Sequence, residues 1–140
     1  MDQTLIFFLA SIIIIGALLF FVICCSKKGT KRLDVEYYRA KCLEIEHQLK
    51  RDESTSYHMS VINADKLLQK ALMERGFKGK TMGEKMKNAN LLFGKNNNDV
   101  WSAHKLRNRI AHETDAHITY DDARYALACF RKALKDLGAI

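Results

Sequence analysis

The chain has 140 residues, 48% of them hydrophobic, with 23 Lys and Arg against 16 Asp and Glu, four Cys and no Pro. That length leaves no room for a second sizeable domain or a large cofactor fold, and the composition excludes a collagen-like or low-complexity chain. The formal charge of +7 points toward anionic partners without specifying a chemistry.

Leu5–Cys25 is an uninterrupted apolar run of 21 residues in which Ser11 is the one polar side chain. As a helix it would extend about 30 Å, the thickness of bilayer hydrocarbon. A cleaved leader would need a basic n-region and a small-residue cleavage site. Only Asp2 and the amino terminus precede the run, and it ends Val22-Ile23-Cys24-Cys25. A lipoprotein site would want a small residue where Ile23 stands. The expectation is a single membrane-spanning helix over residues 5–25. Lys27, Lys28, Lys31 and Arg32 follow in a basic linker over 26–32, and nothing basic precedes the span. Positive charge on one flank places the C-terminal part in the cytoplasm. These four side chains are also expected to meet anionic headgroups, each contributing about 1 kcal/mol at the surface.

Beyond the linker the pattern is helical throughout. A connecting helix is expected over 33–53, its core Leu33–Arg51 carrying Tyr38, Cys42, Ile45 and Leu49 at steps of four, three and four. Ser54-Thr55-Ser56 is read as the cap of a second helix running to about Arg75, with a stripe of Val61, Ala64, Leu68, Ala71 and Leu72, closed by Gly76 and Gly79. Thr81-Met82-Gly83-Glu84 has the form of a capping box and starts a short helix to about Asn90. Gly94–Asn98 reads as a loop, with Asn98 or Asp99 capping a helix to His112 that carries Val100, Trp101, Leu106 and Ile110. Thr119-Tyr120-Asp121-Asp122 opens the last helix, where Ala123, Leu127, Phe130, Leu134 and Leu137 repeat at four, three, four and three before Gly138. No strand alternation appears, so residues 54–140 are expected to form a small all-α bundle. Its core should include Leu68, Leu72, Trp101, Leu106, Ile110, Leu127, Phe130 and Leu134.

Cys42 and Cys129 are far apart on predicted helices, and no Cys/His spacing suits zinc, so no metal site or cofactor is expected. His47 and His58 stand isolated, and His117 has only loop acids near it. Basic residues concentrate over Lys66–Lys95, where eight face only Glu74 and Glu84. Lys78, Lys80, Lys85 and Lys87, interleaved with glycines, are the expected nucleic-acid-binding surface. A solvated helix face or a second lipid contact would explain the same charges.

Leu106-Arg107-Asn108-Arg109-Ile110-Ala111-His112-Glu113 carries the most chemical content. Arg107 is a permanently charged fork suited to phosphate oxygens. His112 is the residue type that takes and returns a proton near neutral pH. Together they suit metal-free RNA cleavage, in which imidazole draws the proton of a 2′-hydroxyl and guanidinium holds the charge growing at phosphorus. On a regular helix His104, Asn108 and His112 form one stripe, with Arg107 about 140° from His112. An architectural alternative has Arg107 pairing with a carboxylate such as Asp65, while Asn108 and His112 satisfy backbone groups at the helix end.

Arg107-Asn108-x-x-x-His112 between two apolar helices resembles the R-x₄₋₆-H signature of HEPN domains, and the likeness extends over about Ser56–Leu137. Ala64–Leu68 and Trp101-x-x-His104-Lys105-Leu106-Arg107-Asn108 resemble segments of small HEPN-like proteins with an N-terminal membrane helix. The resemblance implies an all-α bundle and a homodimer whose shared site is lined by Arg107 and His112, with Asn108 assisting, and RNA as substrate. Two functions are therefore carried forward: a membrane-tethered RNA-binding protein or ribonuclease, and a non-catalytic helical module docking an unidentified protein partner at the membrane. Burial separates them, since catalysis needs Arg107 and His112 open to one cleft.

Overall fold

The computed structural model describes residues 2–26 and 31–140. Every regular element among them is helical. They form two compact units, one up to Ser26 and one from Lys31 to Ile140.

The first unit is helix α1, Gln3–Ser26. Its residues from Gln3 to Val22 are long and apolar enough to cross a membrane, and none of them is buried. The Ser11 hydroxyl donates to the Phe8 carbonyl at 2.7 Å, so the one polar side chain of the run is satisfied within its own helix. Lys27 and Lys28 lie outside the described residues. Lys31 and Arg32 are exposed.

The second unit holds α2 (Val35–Gln48), α3 (Ser54–Glu74), α4 (Met82–Asn88), the single-turn α5 (Asn90–Phe93), a 3₁₀ turn over Gly94–Asn96, α6 (Asn97–His112) and α7 (Tyr120–Asp136). α3 is the central helix and packs against α2, α4, α6 and α7, and α6 and α7 pack on each other. Val61, Leu68 and Leu72 of α3, Val100 of α6 and Phe130 and Leu134 of α7 are fully buried. α7 shows why its pattern was readable: four-three steps keep Ala123, Leu127, Phe130 and Leu134 on one stripe, and all four are buried.

The helix ends follow capping chemistry. Thr119 and Asp122 form a reciprocal capping box at α7: the Thr119 hydroxyl accepts the Asp122 N–H at 3.1 Å, and the Asp122 carboxylate accepts the Thr119 N–H at 2.9 Å. α3 and α7 close the same way. Gly76 (φ +88°) and Gly138 (φ +71°) take the left-handed conformation. Phe77 N–H donates to Leu72 O at 3.0 Å and Ala139 N–H to Leu134 O at 2.8 Å, as a Schellman closure requires.

Several expectations are corrected. The helix expected over 33–53 is not a connector but part of the bundle: α2 packs on α3 and buries Tyr38 and Ile45. The Tyr38 hydroxyl donates to Glu74 Oε2 at 2.9 Å, and burial first, then this bond, raises the phenol's pKa well above its ordinary value. α3 starts at Ser54, but Glu53 is its cap residue and no side chain caps it. Ser56 instead binds the preceding turn, accepting Lys50 N–H at 3.0 Å and donating to Glu53 O at 2.7 Å. Gly94–Asn98 is not a loop: the 3₁₀ turn leads directly into α6 at Asn97, so neither Asn98 nor Asp99 caps that helix. Trp101, Leu106 and Ile110 are only half-buried against the core.

Candidate functional site

α6 sets its apolar Val100 and Ala103 into the core and carries His104 inward with them. A buried imidazole needs partners, and α3 supplies one. Asp65, 1% exposed, accepts from His104 Nδ1 at 2.8 Å. Four residues on, Asn108 Nδ2 lies 3.2 Å from His104 Nε2. Arg107 Nη1 donates to Asn108 Oδ1 at 3.1 Å. Arg107 Nε lies 3.4 Å from Asp65 Oδ2. Asp65, His104, Asn108 and Arg107 thus close a ring of side chains.

The ring has one consistent arrangement of protons. Arg107 can only donate, so Asn108 must present its oxygen to Arg107 and its NH₂ to His104. His104 Nε2 is then an acceptor, and the ring proton sits on Nδ1, directed at the Asp65 carboxylate. The Arg107 contact is of a different kind. Its Nε is within ion-pair range of Asp65, yet it is buried without a hydrogen-bond partner, so the attraction there is coulombic. It still offsets the burial of an otherwise unpaired carboxylate charge.

A cleft of about 520 Å³ opens above this ring. Gln69 of α3, Thr81 and Gly83 at the start of α4, and Trp101 of α6 form its walls, while Lys105, Arg107, Asn108 and His112 also line it. The Trp101 ring stands edge-on to His104, centroids 6.1 Å apart. A Cβ at Gly83 would meet the Trp101 ring at 3.6 Å, an ordinary van der Waals contact. His112, the last residue of α6, is exposed, and Arg107 keeps 27% of its side chain exposed. Arg107, Asn108 and His112 are therefore brought to one cleft. Of the architectural expectations, only the Asp65–Arg107 pair is found. Asn108 bonds to side chains, and His112 has no hydrogen-bond partner among the described residues.

The lysines divide. Lys78, Lys80 and Lys87 are exposed, with no carboxylate within ion-pair distance among the described residues. Lys85 is buried with Met82 and Met86 on the inner face of α4, and its Nζ donates to Gly79 O at 2.7 Å. It holds the turn before α4 and is not part of an exposed surface. That turn is tight: Gly79 has φ +153°, and a Cβ on it would meet Glu84 Cβ and Lys85 N at 2.8 Å. Thr81 caps α4 as expected, accepting Glu84 N–H at 3.2 Å. The return bond falls one residue early, from Lys80 N–H to Glu84 Oε2 at 2.6 Å.

Sequence reasoning placed Trp101 in the core and gave His104 no role in the site. The signal was the i, i+4, i+8 spacing of His104, Asn108 and His112, which continues the motif one turn toward the buried Asp65. No group of three or more His, Cys, Asp or Glu able to hold a metal occurs among the described residues. No protein-family model, curated protein or solved structure matches the chain.

Proposed function

We propose that this chain is a single-pass membrane protein with a cytoplasmic HEPN-like bundle that binds RNA in the α3–α4–α6 cleft and cleaves it without metal. The observation that carries this reading is that Arg107, Asn108 and His112 line one open cleft. The membrane part is supported by the unburied, apolar α1 and by the basic residues on its C-terminal side alone. Lys78, Lys80 and Lys87 supply exposed positive charge on the segment leading into and through α4, whose start forms one wall of the cleft. Contacts of this kind give affinity for the phosphate backbone without sequence preference.

In the proposed reaction His112 takes the 2′-hydroxyl proton, the 2′-oxygen attacks phosphorus, and the 5′-oxygen leaves with a proton, giving a cyclic phosphate and a free 5′-hydroxyl. Arg107 Nη2, which Asn108 does not engage, is left to hold the growing phosphoryl charge. Acid and base are both needed. His104 has both ring nitrogens engaged within the buried ring, so each copy supplies one working imidazole, His112. The second comes from another copy, which makes the active form a homodimer. Confinement to a bilayer favours that pairing by raising local concentration.

The side-chain ring favours a second reading, in which Arg107 and Asn108 are architectural and the bundle docks a protein partner. The deciding experiment incubates the full chain, in neutral detergent with chelator, with labelled RNA of mixed sequence. Cleavage that is lost in His112→Ala with the fold intact supports the ribonuclease. Absence of both binding and cleavage by the wild type favours the docking module.

A further inference from the structure

α2 and α7 both pack on α3, and between them remains a groove of about 550 Å³. It shares no lining residue with the cleft of α3, α4 and α6. Its lining is two-sided in chemistry. Leu43 and Ala128 are exposed apolar surface within it. Arg39, Lys132 and Lys135 are exposed around it with no carboxylate within ion-pair distance among the described residues. The fourth cation, Arg131, is already taken by Glu46 at 2.8 and 3.0 Å.

The geometry points to this groove as a binding site for an anionic phospholipid of the bilayer, with the headgroup phosphate on Arg39, Lys132 and Lys135 and the start of the acyl chains on Leu43 and Ala128. Three uncompensated cations call for a multiply accepting anion such as phosphate. The apolar stretch between them calls for hydrocarbon, which a free phosphate would leave in water. RNA fits less well, because no aromatic ring lines the groove on which a base could stack. The choice of bilayer lipid over a soluble amphiphile rests on the membrane-crossing reading of α1. Only residues 27–34 separate α1 from α2, so a crossing α1 holds the bundle where anionic headgroups are abundant. Bound lipid would then give the bundle a second attachment besides its tether.

Cys42 supplies the readout. It lines the groove, is half-buried, and its thiol is pushed above its ordinary pKa chiefly by burial, so a groove occupant should slow its alkylation. The full chain in neutral detergent is treated with a maleimide at mildly alkaline pH, and the Cys42 peptide is followed by mass spectrometry. Dihexanoyl phosphatidylglycerol is expected to slow the reaction several-fold and dihexanoyl phosphatidylcholine to leave it unchanged. The triple variant R39A/K132A/K135A should weaken the protection about tenfold or more, and R39K/K132R/K135R should keep it. Equal protection by phosphatidylcholine, by glycerol phosphate or by RNA, or undiminished protection in the alanine variant, overturns the assignment. Protection by a fatty acid but not by phosphatidylglycerol overturns the phospholipid as occupant. Detergent phase partitioning tests α1 separately. Loss of partitioning with protection intact overturns the anchor alone, and loss of protection with partitioning intact overturns the groove alone.

Discussion

Replacing Asp65 with Ala tests the ring beneath the cleft. The carboxylate is 1% exposed, accepts the His104 Nδ1–H at 2.8 Å and lies 3.4 Å from Arg107 Nε. Its removal leaves a buried imidazole N–H without an acceptor and a half-buried guanidinium without a counter-charge. Breaking a buried pair from one side costs about 3–5 kcal/mol, a large part of the roughly 5–15 kcal/mol that holds a domain of this size. Asp65→Asn should cost less, about 1–3 kcal/mol. Its carbonyl can still accept from His104, but its NH₂ then faces the donor on Arg107. Trp101 is the single tryptophan of the chain and stands beside His104. Its fluorescence during urea unfolding in neutral detergent therefore reports the region directly. In an Arg107→Ala background the Asp65→Ala cost should shrink, because the two residues are each other's charge partner at 3.4 Å. A loss below about 1 kcal/mol for Asp65→Ala, or strict additivity with Arg107→Ala, would refute the ring as a cooperative unit.

Leu127→Ala, in the buried stripe of α7, should destabilise the bundle by about 2–5 kcal/mol, measured by the same unfolding. Thr119→Ala should cost about 1 kcal/mol through loss of the α7 cap. The Thr119 backbone N–H, then its hydroxyl, holds the Asp122 carboxyl below the ordinary carboxylate range. That stabilisation is full above about pH 4 and fades as pH falls through the depressed folded value, so the stability gap between wild type and Asp122→Asn should narrow in acid. A gap that stays constant from pH 7 to pH 2 would contradict the cap. Lys85→Ala should lower stability by loosening the Gly79 turn, whereas Lys80→Ala and Lys87→Ala should leave stability unchanged and weaken RNA binding with a reduced salt slope.

How far the sequence reached depended on how local the signal was. α7 was legible nearly to its ends because its stripe, its Thr119–Asp122 cap and its closing glycine all lie within a short window. The 3₁₀ turn at Gly94–Asn96 was hidden because Gly94-Lys95-Asn96-Asn97-Asn98 reads as turn composition, and packing of Phe93 and Val100 on the core overrides it. Lys85 looked like one more member of a basic run, since its charge is visible in sequence and its burial between Met82 and Met86 is not. The site was half readable. Arg107, Asn108 and His112 stood out as a motif, but the Asp65–His104 bond joins residues 39 positions apart, and only tertiary packing brings them together.

The most direct measurement of the central claim is single-turnover cleavage of a labelled mixed-sequence RNA by the membrane-reconstituted full chain in excess chelator. Wild type is compared with His112→Ala and Arg107→Ala, each matched by its unfolding curve. The account predicts cyclic-phosphate-ended products from the wild type, a loss of at least about 100-fold in His112→Ala, and no rescue when His112→Ala and Arg107→Ala copies are mixed, since a mixed dimer holds one His112 where the reaction needs two. Unchanged cleavage in both variants, or no cleavage by the wild type on any RNA offered, would contradict it.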